Sequence, residues 1–378
     1  MILDISDNAY KNILNDEQLF LPIRWNGDNF SDAIECLLNR YTRHLETVIN
    51  NEISYRNDVN IFLEEVIKIS KLLIKAVNHY LNGFPAKAYA TFKNVMSILA
   101  ENPLKIYQKS VMEQFEVNEW KYQDKLKLFR AVIVTDNKPY QRTRVFHTPY
   151  FLRSKVSTSR YSIAGYPSLY LGTSLELCCN EIKADLGKDL IIAAAFKLER
   201  SLEFSNTNIQ VIELGVKPQD FLNFSTENDR TRRRIPKDMI KDKKVRSAYL
   251  LWYPLIAACS YIRINKNDPF AAEYIIPQLL MQWVRSEINS NIHGDYFDLI
   301  GIRYFSCASV KASDMGFNYV FPTSGKQKSS ELPYCAVLTK AFQLTNPVYI
   351  HEYDSISACE WELSKKNDYD YLSTQLSL

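Results

Sequence analysis

No apolar run in these 378 residues approaches the ~20 needed to span a bilayer, so a membrane-spanning helix is not expected. The opening stretch MILDISDNAYKN has acids but no basic segment ahead of an apolar block, so a secretory signal is not expected either. The seven cysteines are odd in number and scattered, with no C-x-x-C pair. That pattern argues against a disulfide frame or a zinc site and for reduced thiols in a cytoplasmic protein. Five dispersed histidines (His44, His79, His147, His293, His351) form no ligand cluster, and H-E-x-x-H is missing, so no metal is expected. The phosphate-binding patterns G-x-x-x-x-G-K-[ST] and G-x-G-x-x-G are absent. So is the G-x-S-x-G elbow of serine hydrolases. These absences remove the commonest nucleotide, metalloenzyme and hydrolase classes.

What is present is a soluble composition, 46% hydrophobic and 24% charged, in a chain long enough for two domains. The net charge is +3, but the run 230–246 (RTRRRIPKDMIKDKKVR) carries nine Lys or Arg against Asp238 and Asp242. Its excess of +7 leaves about −4 for the remainder. A patch of this kind suits phosphates or an acidic partner, although a solvated face is the commoner use. It holds no interleaved aromatics, so binding to single-stranded nucleic acid is not favoured.

Residues 1–122 read as helices. DVNIFLEEVIKISKLLIKAVNHYLNG has a helical stripe through Ile61, Phe62, Val66, Ile69, Leu73 and Val77, ended by Gly83. PAKAYATFKNVMSILAENP starts on Pro85, suited to a first helical turn, and SDAIECLLNRYTRHLETVIN offers Ser31 as a cap. Beyond residue 122 the texture changes. LFRAVIVT, SLYLGT, DLIIAAAFKL, NIQVIELG, NYVFP, YCAVLTKAFQLT and VYIHEY read as strands. Two helical stretches interrupt them, with a kink or split expected at Pro254 and a bend at Pro277. Strands and helices mix without strict alternation, which predicts an α+β domain over 123–378 with a helical insertion at 225–295.

One stretch asks for more than packing: STSRYSIAGYPSLYLGTSLELCCNEI, residues 157–182. LFR ending in Arg130, RYS with Arg160 and Tyr161, LYLGTSLELCCNEI with Tyr170 and Glu181, GIRYFS ending in Ser306, and then NYVF follow one another in order. In that order they resemble the RES-domain proteins, bacterial toxins named for an arginine, a glutamate and a serine. The resemblance covers roughly residues 126–350. It implies an ADP-ribosyltransferase-like fold and cleavage of the nicotinamide–ribose bond of NAD+, which is substrate rather than resident cofactor. The family's usual partner is a small helix-turn-helix antitoxin. The helical N-terminal domain, read as regulatory or as mediating assembly, and the long 225–295 stretch are additions to its compact members.

The chemistry asks for the same residue types. Nicotinamide departs neutral, so the demand is to stabilise an oxocarbenium-like ribose, a task for a carboxylate such as Glu181. Glu176, five residues earlier, is the competing carboxylate. A pyrophosphate suits the forked guanidiniums of Arg130 and Arg160. A flat cationic ring suits an aromatic face, from Tyr170 or Tyr161. Ser306, or Ser309 close by, would hydrogen-bond the nicotinamide or ribose. Two rival expectations stand beside NAD+ hydrolysis or phosphorolysis in a toxin or phage-defence effector. One is ADP-ribose transfer to a macromolecule docked on the basic run. The other is a non-enzymatic module whose RES-like part is degenerate and whose helices bind a regulatory protein or a second copy.

Overall fold

The computed structural model describes residues 2–52, 57–102, 104, 127–198, 209–222, 241–265, 268–290, 299–323 and 333–372. The main elements are helices α1 (Asp7–Leu14), α2 (Phe30–Glu52), α3 (Asn57–Leu81) and α4 (Pro85–Glu101), then strands β1 (Lys127–Val134) and β2 (Ser168–Gly172). They continue with α5 (Leu175–Glu181), β3 (Leu190–Leu198), β4 (Ile209–Leu214), α6 (Lys243–Ala258) and α7 (Ile275–Ser290). The chain ends with β5 (Leu299–Phe305), β6 (Phe317–Pro322), α8 (Ala336–Ala341), β7 (Phe342–Leu344), β8 (Val348–Tyr349), α9 (Ile356–Lys365) and β9 (Asp370–Tyr371). The fold is α+β, with an N-terminal helical region. Among the described residues no helix is long and apolar enough to cross a membrane.

Two compact units divide the chain, residues 1–108 with 213–283, and residues 109–212 with 284–378. Most of the segment expected as an insertion in the second domain therefore packs with the N-terminal helices. The cause lies in α6, where thirteen of sixteen side chains are buried, so the helix needs apolar partners on every side. It finds them on α2 and α3. Pro254 lies inside α6 without ending it. A proline there takes away the N–H that the Leu250 carbonyl would accept. The buried Tyr41 hydroxyl on α2 donates to that carbonyl at 2.6 Å, which lets the helix run on. Pro277 is similarly harmless, because it occupies the first turn of α7, where no helical donor is required.

Helix α2 begins one residue before Ser31, with the Asn29 side chain accepting from the Ser31 N–H at 3.0 Å, so Asn29 takes the capping role expected of Ser31. The α3–α4 turn is as read: Gly83 has φ +81° and Pro85 opens α4. Of the basic run, residues 230–240 lie outside the described residues. At its far end Lys243 pairs with Asp4 and Arg246 with Asp7, each at 2.6 Å, so these two cations are used within their own unit.

The second unit is built on a nine-stranded sheet of order β4-β5-β6-β2-β1-β3-β7-β9, with β8 also on β3. YCAVLTKAFQLT, read as one strand, is α8 followed by β7, since Ala336, Leu338 and Lys340 favour a helical turn before the chain joins β3. VYIHEY is a two-residue strand followed by a single 3-10 turn. On one face, α5 and α9 cover Phe129, Ala131, Ile191, Ala193 and Ala195. The other face carries aromatics, among them Phe196, Phe321 and Phe342, whose rings meet at 5.1–6.5 Å.

Candidate functional site

Strand register decides which residues meet. Gly172 of β2 stands opposite Asn318 of β6, and Asn318 stands opposite Tyr304 of β5. Directly paired residues share a face, and alternation adds Tyr170 to that face. This row lies beside the C-terminal end of α5. Ser174 caps the helix, accepting from Leu177 N–H at 3.2 Å while donating to the Met315 carbonyl at 2.9 Å. The Glu360 carboxylate of α9 accepts from Leu175 N–H at 2.6 Å. A Cβ on Gly172 would meet Cys178 Sγ at 2.7 Å, so glycine permits the close approach of α5 to β2.

The last residue of α5 is Glu181. Its side chain is exposed, and Oε1 accepts from Asn318 Nδ2 at 2.6 Å. Asn318 is buried, so an anchored amide holds one carboxylate oxygen and leaves the group at the surface. Glu176 is exposed too, but it lies in the first turn of α5, where its charge acts on Cys179 and Glu360. The two carboxylates thus serve different neighbours, and Glu181 is the one on the row.

Tyr304 is buried, its ring 4.6 Å from that of Tyr161. Burial pushes the Tyr304 hydroxyl well above its usual range; the nearby Glu181 and Tyr170 push the same way and Arg160 opposes them. Arg160, Tyr161, Tyr170 and Glu181 are therefore gathered around one phenol. The Tyr170 hydroxyl donates to the Tyr161 carbonyl and, with its only proton spent, accepts from Ser159 Oγ at 2.5 Å. That pair of bonds ties the 157–167 loop to β2. Tyr161 is buried, so of the two tyrosines only the half-buried Tyr170 keeps part of its surface open.

Arg130 reaches this group from another direction. Strand β1 pairs with β3 along all eight residues but meets β2 at Phe129 opposite Gly172 alone. Where the two strands part, Arg130 Nη1 donates to the Tyr170 carbonyl at 3.0 Å. By alternation Arg130 leaves β1 on the face opposite Phe129, and hence opposite the Asn318 row. Its Nε is buried with no hydrogen-bond partner among the described residues, and burial pulls the guanidinium below its ordinary value.

Ser306 follows Tyr304 by two residues and is fully buried, its Oγ accepting from Ala308 N–H at 3.2 Å in a tight local turn. Ser309 is exposed and accepts from Ala312 N–H at 3.0 Å, capping the 312–314 turn. Neither serine hydrogen-bonds to Glu181, Asn318 or Tyr304 among the contacts of the described residues. The sequence reading gave no role to Asn318 or Tyr304. Alternation within FNYVFP and GIRYFS puts both in line with Gly172 once strand order is known. Among the described residues no group of three His, Cys, Asp or Glu is placed to hold a metal ion.

Comparison with known proteins gives one anchor. The chain is 27% identical over 374 residues, 94% of its own length and 76% of the other's, to the protein named "Putative toxin YopC" of Bacillus subtilis (strain 168). No family model matches the chain, and no solved structure does.

Proposed function

We propose that this chain is an NAD+-consuming enzyme of ADP-ribosyltransferase-like design that breaks the nicotinamide–ribose bond and acts as a toxin or defence effector. The observation that carries the reading is Glu181, a surface carboxylate held at 2.6 Å by the buried Asn318, on the row that includes Tyr304 and Tyr170, with Arg160 and Tyr161 close to Tyr304. Among these are four of the residues singled out by the RES-domain resemblance. A relative matched over 94% of this chain bears the name "Putative toxin YopC", which favours the same setting.

In the proposed reaction the C1′–N bond breaks and its electron pair leaves with nicotinamide, which becomes neutral. Positive charge then builds on the ribose. A fixed carboxylate stabilises that charge without reorganising, because its partner amide has already chosen its position. Water or phosphate adds an oxygen at C1′ and gives up a proton to the carboxylate or to solvent. Arg160 supplies a fork for the pyrophosphate, and the open part of Tyr170 a face for the cationic ring. Arg130 has the narrower role of fixing the Tyr170 backbone where β1 and β2 part.

The test is incubation of the purified chain with NAD+, with and without inorganic phosphate. Free nicotinamide with ADP-ribose marks hydrolysis, and with ADP-ribose 1-phosphate phosphorolysis. Label carried onto a macromolecule would mark transfer instead. No loss of NAD+ from folded protein would leave a binding module, whose partner is a regulatory protein, an antitoxin or a second copy.

A further inference from the structure

Two other cations of the sheet unit, Arg285 and Arg153, have no carboxylate partner among the described residues. Arg285 of α7 is 8% exposed, yet none of its nitrogens makes a hydrogen bond or ion pair among the described residues, and Nη1 is fully enclosed. Its guanidinium carbon lies 5.1 Å from the centre of the Tyr166 ring. Arg153 sits over the same ring, also at 5.1 Å, and at 5.0 Å from the Tyr150 ring. Arg153 too has no carboxylate partner among the described residues. Two guanidiniums around one tyrosine repel each other, and enclosing one of them without a partner is costly. Cation–π contact offsets only part of that cost.

The frame around them is well fixed. Tyr166 closes a tight turn in which its N–H donates to the Ile163 carbonyl at 2.9 Å, with Gly165 at φ +71° as such a turn requires. Tyr150 is held by the Pro333 carbonyl, and its hydroxyl feels the Arg285 charge. Thr323 donates to the Pro167 carbonyl and so joins the end of β6 to the start of β2. This places the cluster at the opposite end of β2 from Gly172. Pro167 is three residue steps from Tyr170 and five from Gly172, which at about 3.3 Å each is roughly 10 Å and roughly 17 Å.

We infer that Arg285 and Arg153, framed by Tyr166 and Tyr150, form a binding site for a phosphoryl group, distinct from the Glu181 row. A dianion supplies the two negative charges that both cations lack, and the planar forks of two arginines match the oxygens of a phosphoryl group. Two sources carry such a group, free inorganic phosphate and the phosphates of a nucleotide.

Thermal unfolding and calorimetry of the full chain with inorganic phosphate, and separately with ADP-ribose, test the site, with chloride at matched ionic strength as control. The expected result is a saturable rise in melting temperature above the chloride control with at least one of the two. A response to phosphate alone assigns the site to the free anion, and a response to ADP-ribose alone assigns it to the nucleotide. In Arg285→Met that response disappears, while the ligand-free melting temperature stays equal or rises because an unpaired charge has gone. The half-exposed Arg153→Gln, which does not threaten the fold, is expected to weaken binding about tenfold. The inference is overturned if neither compound acts above the control, or if both variants respond as the wild type does. Because binding is read without turnover, and Glu181→Gln is expected to leave it intact, failure here is separable from failure of the NAD+ reading.

Discussion

Acidification from pH 7 to pH 4 should destabilise the sheet unit through one buried imidazole. His147 is fully enclosed, with aromatic rings of Phe146, Tyr150 and Tyr334 within 5.0–5.8 Å. Its Nε2 accepts from the Cys335 N–H at 2.9 Å, so Nδ1 carries the proton and donates to the Thr148 carbonyl at 2.8 Å. Burial lowers the imidazole from 6.5 to about 4; the Thr148 bond resists this and the nearby Arg130 cation adds to it. In the window between about 6.5 and about 4 the unfolded chain therefore binds more protons than the folded one. The stabilisation is complete above pH 6.5 and is lost as pH falls through the window. At about 1.36 kcal/mol per pH unit the loss totals about 3 kcal/mol. His147→Gln keeps an acceptor for Cys335 N–H and removes the titration. Urea unfolding of both proteins at several pH values from 7.5 to 4 is the assay. The wild type should lose about 3 kcal/mol relative to the variant over that range. Parallel pH profiles would refute the reasoning, because they would mean that His147 can be protonated in place.

Three further outcomes follow from the packing. Tyr41→Phe should cost about 1–3 kcal/mol in the helical unit, since it strips the Leu250 carbonyl of the donor that makes up for Pro254; chemical denaturation reads this. Asn318→Ala should lower NAD+ turnover at least tenfold while leaving the fold and NAD+ affinity little changed, because it frees the Glu181 carboxylate to wander; steady-state kinetics with circular dichroism checks it. A fragment of residues 122–378 should be insoluble when expressed alone, because α6 would lose the α2 and α3 surfaces that cover it; the soluble fraction on expression decides.

How far the sequence spoke depended on the range of the interaction. The stripe from Ile61 to Val77, Gly83 and Pro85 mark α3 and α4 through local geometry, and short β-branched or aromatic runs bounded by turn residues mark β1, β2 and β3 in the same way. Pro254 misleads, because its rescue comes from Tyr41, more than two hundred residues away in the chain. Likewise α6 reads as part of the second domain until its nearly uniform burial is seen to need the N-terminal helices. At the candidate site, Glu181, Tyr170, Tyr161 and Arg160 could be singled out from residue type and order, and the fold brings them near Tyr304. Asn318 and Tyr304 are not, because nothing local says that β6 lies between β2 and β5. Arg285 was hidden for the same reason, inside a stretch read as a helical insertion.

The central claim rests on the charge of one side chain. Glu181→Gln keeps the shape and leaves the Asn318 amide an acceptor oxygen, but removes the negative charge proposed to face the ribose. Nicotinamide release from NAD+ by the two folded proteins is the deciding measurement, with NAD+ affinity measured alongside. The account predicts that binding survives within a few-fold and turnover falls by about two to three orders of magnitude, the scale of a fixed electrostatic contribution of about 3–4 kcal/mol. Turnover equal to wild type in Glu181→Gln would contradict it.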